Sequence, residues 1–145
     1  MKNEDQIQLS SSLAEAVKMN EKAEHRIIGL TIETTPPFVT HANCRERREM
    51  GVTRIEMGVQ STDNQILEMN KRGHTVEEIR VAMNRLRQYG FKMSIHIMPG
   101  LYGSSLEKDI DTFRQIYDDE SLRPDEIKFY PTSVIPDTEL YTLYL

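Results

Sequence analysis

The sequence predicts an α/β fold: a parallel sheet of four strands with crossover helices, curved as a fragment of a partial (β/α) barrel. Three observations lead there. Short stretches of period-two apolar residues alternate along the chain with longer stretches of helical spacing. The segments between strands are of helix length, which makes them crossovers between parallel strands rather than hairpin turns. Each strand also carries one apolar and one polar face, whereas a flat sheet covered on both sides reads apolar on both.

The 145 residues, 38% hydrophobic and 28% charged, suit one domain able to bury a real core. With 7 Gly and 6 Pro the chain is neither collagen-like nor of low complexity. Cys44, the single cysteine, excludes an intramolecular disulfide and cannot alone build a zinc or iron–sulfur site, so no metal is assigned to this chain. No apolar run is long enough for a membrane span, and MKNEDQIQLS is too polar for a signal peptide, so the expected compartment is the cytoplasm, with no membrane partner. A formal charge of -5 weighs against nonspecific DNA coating, and DNA is not an expected partner, although a local basic groove stays open.

Residues 1–9 read as a polar start, and Ser10 to His25 as a helix with serines available to cap it; together, residues 1–26 form a leading segment before the barrel part, 27–145. The first strand runs from Ile27 to Glu33 and stops at Thr34-Thr35-Pro36-Pro37, because two prolines can continue neither a helix nor a ladder. His41 to Met50 is helical, with Gly51 just past its end. Thr53 to Gln60 is the second strand and Thr62 to Asn70 a short helix broken at Lys71-Arg72-Gly73-His74. Thr75 and Glu78 have the spacing of a capping box, opening a helix through Ile79, Met83 and Leu86 that stops at Gly90. Phe91 to Met98 is the third strand, and Ser104 with Glu107 repeats the capping-box spacing ahead of Ile110, Phe113 and Ile116. Glu126 to Tyr130 is the fourth strand, followed by a loop with about one turn of helix.

Alternation puts Ile28, Leu30 and Ile32 on one face of the first strand and Gly29, Thr31 and Glu33 on the other. In the second, Ile55, Met57 and Val59 oppose Arg54, Glu56, Gly58 and Gln60; in the third, Met93, Ile95 and Ile97 oppose Ser94, His96 and Met98. In the fourth, Ile127 and Phe129 oppose Lys128 and Tyr130. Four polar faces side by side form the lumen of a barrel. Buried charges there are either paired with one another or turned toward a ligand. In βα architectures ligands lie at the C-terminal strand ends, here Glu33, Gln60, His96 to Gly100, and Tyr130 with Pro131.

Several motifs are absent. There is no Walker phosphate loop and no GxGxxG after a strand, and the four histidines show no metal spacing on one helix. No serine sits in a nucleophile elbow, so no catalytic nucleophile is identified. His96 reads either as a hydrogen-bonded core histidine or as a lumen group, and Lys71-Arg72 with His74 either as surface or as a phosphate-contacting cluster.

Beyond spacing, the segments GLTIET, GVTRIEMGVQS, NKRGHT, GFKMSIHIMPGLYGS and IKFYPTSVIPDTELY closely resemble the radical S-adenosylmethionine (SAM) core of the Elongator protein 3 family, and SLAEAVKMNEKAEHR extends the likeness into the first helix. The strand ending in GVQS and the turn after the third strand are shared more loosely with coproporphyrinogen dehydrogenases. The resemblance implies a partial (β/α)6 barrel of radical SAM type, a [4Fe–4S] cluster, and cleavage of SAM to a 5′-deoxyadenosyl radical. It also implies attachment of a carboxymethyl-type group to C5 of the wobble uridine of tRNA, with acetyl-CoA as acyl source and other Elongator subunits as partners. Carried onto this sequence, it implies Glu33, Gln60, one of Lys71 and Arg72, and His96 as SAM-pocket residues, and Lys128 and Tyr130 as the lumen pair of the family's KxYPT segment. Arg54 and Glu56, read from the strand faces, join them as lumen or substrate candidates.

Departures temper this. The cluster's three-cysteine motif is expected upstream of Met1, and the family's ETRPD turn reads Glu33-Thr34-Thr35-Pro36-Pro37. The chain alone is therefore expected to be inactive, part of a longer enzyme. The alternatives are a non-catalytic remnant serving as a binding or assembly module, or another radical SAM activity such as porphyrinogen oxidation. Anaerobic treatment of this chain with iron and sulfide should give no cluster absorbance at about 400 nm, because one cysteine cannot supply the thiolates; stoichiometric iron–sulfur binding by a monomer would contradict this.

Overall fold

The computed structural model describes residues 12–144; the polar start and Ser10 and Ser11 at the head of the first helix lie outside them. The elements are α1 (Leu13–Lys22), β1 (Thr31–Thr34), α2 (His41–Glu49), β2 (Arg54–Gln60), α3 (Asn64–Met69), α4 (Val76–Gln88), β3 (Lys92–Ile97), α5 (Leu106–Asp118), β4 (Glu126–Phe129) and α6 (Glu139–Tyr144), with a 3-10 turn at Pro36–Phe38. All neighbouring strands are parallel, in the order β1-β2-β3-β4. Spatial order follows chain order, so the sheet has no switch point and is built like a barrel wall.

The apolar strand faces make the core. Ile55, Met57 and Val59 of β2 and Met93, Ile95 and Ile97 of β3 are buried against Ile79, Met83 and Leu86 of α4, Ile116 of α5, and Cys44 of α2. The central helix, α4, shows why such segments fold locally. Thr75 accepts from the Glu78 amide while Glu78 reaches back to the Thr75 amide, closing both halves of the capping box. Glu77 and Glu78 in its first turn and Arg85 and Arg87 in its last complement the helix dipole. Gly90, at φ +70°, takes the left-handed conformation that ends it.

Four expectations need correction. The first strand, Thr31–Thr34, is shorter than Ile27 to Glu33: Ile27 and Ile28 are 70% and 86% exposed and lie outside the ladder. Ile27 instead finds its hydrogen bonds in a side chain, since its amide donates to Asn20 Oδ1 (2.8 Å) and its carbonyl accepts from Asn20 Nδ2 (2.9 Å). The leading helix ends at Lys22 rather than at His25. The helix after β2 spans Asn64–Met69 rather than Thr62 to Asn70, because Asp63 caps it by accepting from the Gln65 and Ile66 amides. The cap of α5 is Ser105, which accepts from Lys108 N, whereas the Ser104 hydroxyl is drawn off to Asp109 Oδ1 (2.6 Å). The tail helix, α6, is six residues long.

The core should behave as one packed body. Leu86 is fully buried and Leu106 71% exposed. Leu86→Ala should cost about 2–5 kcal/mol and Leu106→Ala about 0.5 kcal/mol or less, measured by urea unfolding.

Candidate functional site

The polar strand faces meet at a charge layer centred on Glu56, which is 4% exposed. A lone carboxylate there would be costly, and it is compensated three times over. Lys128 Nζ donates to its Oε2 at 2.6 Å, Arg54 Nη2 to its Oε1 at 3.1 Å, and His96 Nε2 lies 3.4 Å from Oε2. Register places these groups together, since Glu56 on β2 is opposite Ser94 on β3, and His96 opposite Lys128 on β4. Arg54 extends the layer, donating to Glu126 Oε2 (2.8 Å) and to Thr31 Oγ1 (3.2 Å), so that one guanidinium touches β1, β2 and β4. The bond from Lys128 holds the Glu56 carboxyl below its usual range, and the same bond pushes the Lys128 ammonium up.

Above this floor, toward the C-terminal strand ends, His96 packs edge-on against Tyr130 with ring centroids 5.2 Å apart. Glu33 is exposed and makes no hydrogen bond or ion pair among the described residues. One ligating atom from each of Glu33, Glu56 and His96 lies within 4.8 Å of the others. Two carboxylates and an imidazole could bracket a divalent cation, but Glu56 is already neutralised by Lys128 and Arg54, and a metal would have to displace that ammonium. Arg54, Lys128 and Glu56 thus form a self-paired floor, whereas Glu33, opposite Glu56 on the border strand, keeps its carboxylate open beside His96.

The second part of the mouth is built at the end of β2, where its register against β3 shifts and Gln60 takes φ +72°. That conformation folds the Gln60 side chain over Gly58, with Nε2 only 2.8 Å from where a Cβ on residue 58 would sit; Arg72 Nη2 is 3.9 Å from the same point. A side chain at 58 would push the Gln60 amide from its place. Gln60 Oε1 and Arg72 Nε are buried without partners, as is Thr132 Oγ1 just beyond β4. Burial also lowers the pKa of the Arg72 guanidinium. Buried polar atoms are nearly always paired, so this open acceptor and open donor are exceptions among the described residues.

Of the two basic candidates, Arg72 turns to the strand ends. Lys71 is exposed and ion-paired with Glu139 of α6. His74 is not part of a phosphate-contacting cluster: it is 7% exposed, with Nδ1 3.0 Å from the Arg72 carbonyl oxygen and Nε2 3.3 Å from that of Val59. Thr132 and Ser94 were not singled out by sequence reasoning. Ser94 Oγ is a further unpartnered buried atom, on the lumen face two residues before His96, where the alternation of β3 places it, although alternation alone does not mark it as a site residue.

The charge layer has a pH signature. Because the folded pKa of Glu56 is depressed, its contribution to stability is complete above the ordinary glutamate value of 4.5 and is lost as pH falls from there through the folded value. Urea midpoints of the native chain should drop over that range, and Glu56→Gln should start lower at neutral pH and show a shallower acid decline. Parallel acid profiles would show that the ion pairs contribute nothing.

The pattern of the Radical SAM superfamily matches residues 7–116. Over 135 residues the chain is 45% identical to the tRNA uridine(34) acetyltransferase of Methanocaldococcus jannaschii, covering 93% of this chain and 25% of that protein. It is 38% identical to human Elongator complex protein 3 over the same shares of the two chains. Among solved structures, the archaeal Methanocaldococcus infernus Elp3 lacking residues 1–46 superposes with a TM-score of 0.89 at 44% identity, over 93% of this chain and 32% of that one. The chain spans about a quarter of the length of the curated relatives it matches. A parallel barrel wall, a polar mouth at its C-terminal strand ends and a superfamily match over most of its length agree: the chain belongs to the radical SAM superfamily.

Proposed function

We propose that this chain is the SAM-facing wall of an Elongator-protein-3-like enzyme that modifies C5 of the wobble uridine of tRNA, with acetyl-CoA as acyl source, Elongator subunits as partners and the cytoplasm as its compartment. The observation that carries the reading is the set of open polar atoms at the C-terminal strand ends, Gln60 Oε1 and Arg72 Nε above all. Adjacent guanidinium N–H groups of Arg72 suit a carboxylate, and the Gln60 carbonyl suits an ammonium. Together they fit the amino-acid end of SAM. Glu33, with no partner among the described residues, is placed to accept from ribose hydroxyls, and His96 and Tyr130 border the lumen beside it.

Bound SAM supplies the radical chemistry of the superfamily. The [4Fe–4S] cluster that accompanies it does not fit these residues. A cluster needs several thiolates, and Cys44 is buried in the core with its thiol pKa pushed up by burial. What this chain's own groups do is bind and orient. Lys128, held by Glu56, presents a fixed positive charge to the lumen near Tyr130, where a polar substrate group would be received.

Two halves of SAM test this separately. Adenosine titrated into the chain should shift the resonances around Glu33, and L-methionine those of the Gln60 side-chain amide and Arg72 Nε–H. Glu33→Gln should abolish the adenosine response, leave the methionine response, and cost roughly 1 kcal/mol or less of stability. A Glu33→Gln chain that binds adenosine normally but unfolds readily would make Glu33 part of the scaffold.

A further inference from the structure

The loop between α3 and α4 carries Arg72 and is held at both ends. Asn70 Nδ2 donates to the Ile66 and Tyr102 carbonyls (2.8 and 2.9 Å), and Asn64 Oδ1 accepts from the Val76 amide (2.8 Å). Between these anchors the backbone takes two left-handed residues, Lys71 at φ +52° and Gly73 at φ +70°, which turn Arg72 inward. Left-handed geometry at a residue with a side chain persists only where its surroundings enforce it.

The contact that joins this turn to the end of β2 is made by His74. Its ring lies between two backbone carbonyls, that of Arg72 (3.0 Å from Nδ1) and that of Val59 (3.3 Å from Nε2). Val59 immediately precedes Gln60, so a single imidazole sits between the two segments that carry the open acceptor and the open donor of the mouth. It donates to one of these carbonyls when neutral and to both when protonated. We propose that His74 is a positioning residue that sets the spacing between the Gln60 amide and the Arg72 guanidinium. The inference rests on the reading of that pair as the grip on the amino-acid end of SAM, because only a ligand with fixed separation between its charges needs the spacing held.

His74 has both ring nitrogens turned to backbone carbonyls. It acts through two backbone segments, in the way that outer partners hold first-contact groups in register. Its burial matters for the same reason. At 7% exposure the ring is shielded from water that would compete for the carbonyls.

The test follows the Arg72 Nε–H and Gln60 side-chain amide signals of the whole chain by NMR. In His74→Phe, which keeps ring volume but makes no hydrogen bond, Arg72 Nε–H exchange should rise about tenfold or more and the Gln60 amide should shift, while β3 and α4 amides stay protected. His74→Asn, too short to span both carbonyls, should do the same and serves if the Phe variant does not fold. Unchanged Arg72 and Gln60 signals in a folded variant would overturn the proposal, as would equal loss of protection throughout β3. The ligand reading fails differently: SAM added to the native chain would then leave both signals unmoved, whatever the variants do.

Discussion

A carboxylate buried in the concave face of a parallel sheet is the constraint to which the rest of the interior answers. Glu56 cannot stay charged at that depth without cations, and the cations come from both sides of it in space: Arg54 from its own strand, Lys128 from the far strand, with His96 between. Because Arg54 also reaches Thr31 and Glu126, satisfying one charge ties β1, β2 and β4 through side chains as well as through the backbone ladder. The floor of the lumen is thereby rigid and electrically occupied. Gln60, at the end of β2, is among the polar groups left open.

That division separates two kinds of polar residue which look alike in sequence. Arg54, Glu56, Glu33 and Lys128 all fall on the polar face by alternation, and alternation says nothing of position across the sheet. That position decides the outcome. Glu33 and Glu56 are opposite each other in register. Glu56 on the interior β2 is buried and paired, while Glu33 on the border strand β1 is exposed and has no partner among the described residues. The same argument separates Lys71 from Arg72. They are neighbours in a basic pair, but a left-handed turn at Lys71 sends its ammonium to α6 and leaves Arg72 against Gly58.

The parallel architecture and core of this fold were legible because they rest on periodicity: the apolar faces of β2 and β3 and the stripe of α4 are buried as their spacing implies. The capping box at Thr75 was legible because its chemistry is local. Its counterpart at Ser104 was not, because a tertiary partner, Asp109, competes for the hydroxyl and the cap moves one residue on. Ile27 and Ile28 read as strand because they are apolar and β-branched, but a strand needs neighbours, and none lies beside them in the described residues. Within the site, residue types and their face were readable. The open atoms of Gln60, Arg72 and Thr132 were not, since they depend on a backbone conformation and a register shift that no pattern of residue types encodes.

The hold of Asn20 on Ile27 bears on how this sheet meets other chains. A carboxamide offers the same donor and acceptor as a peptide group, so Asn20 stands in for one residue of an adjoining strand. Sheets grow by templating at such free backbone groups, and the run from Ile27 to Leu30 is otherwise an inviting template, apolar and exposed. With both of its backbone groups held by Asn20, Ile27 has neither left for a ladder rung on that border. A single polar side chain on α1 therefore does locally what a neighbouring strand would otherwise do.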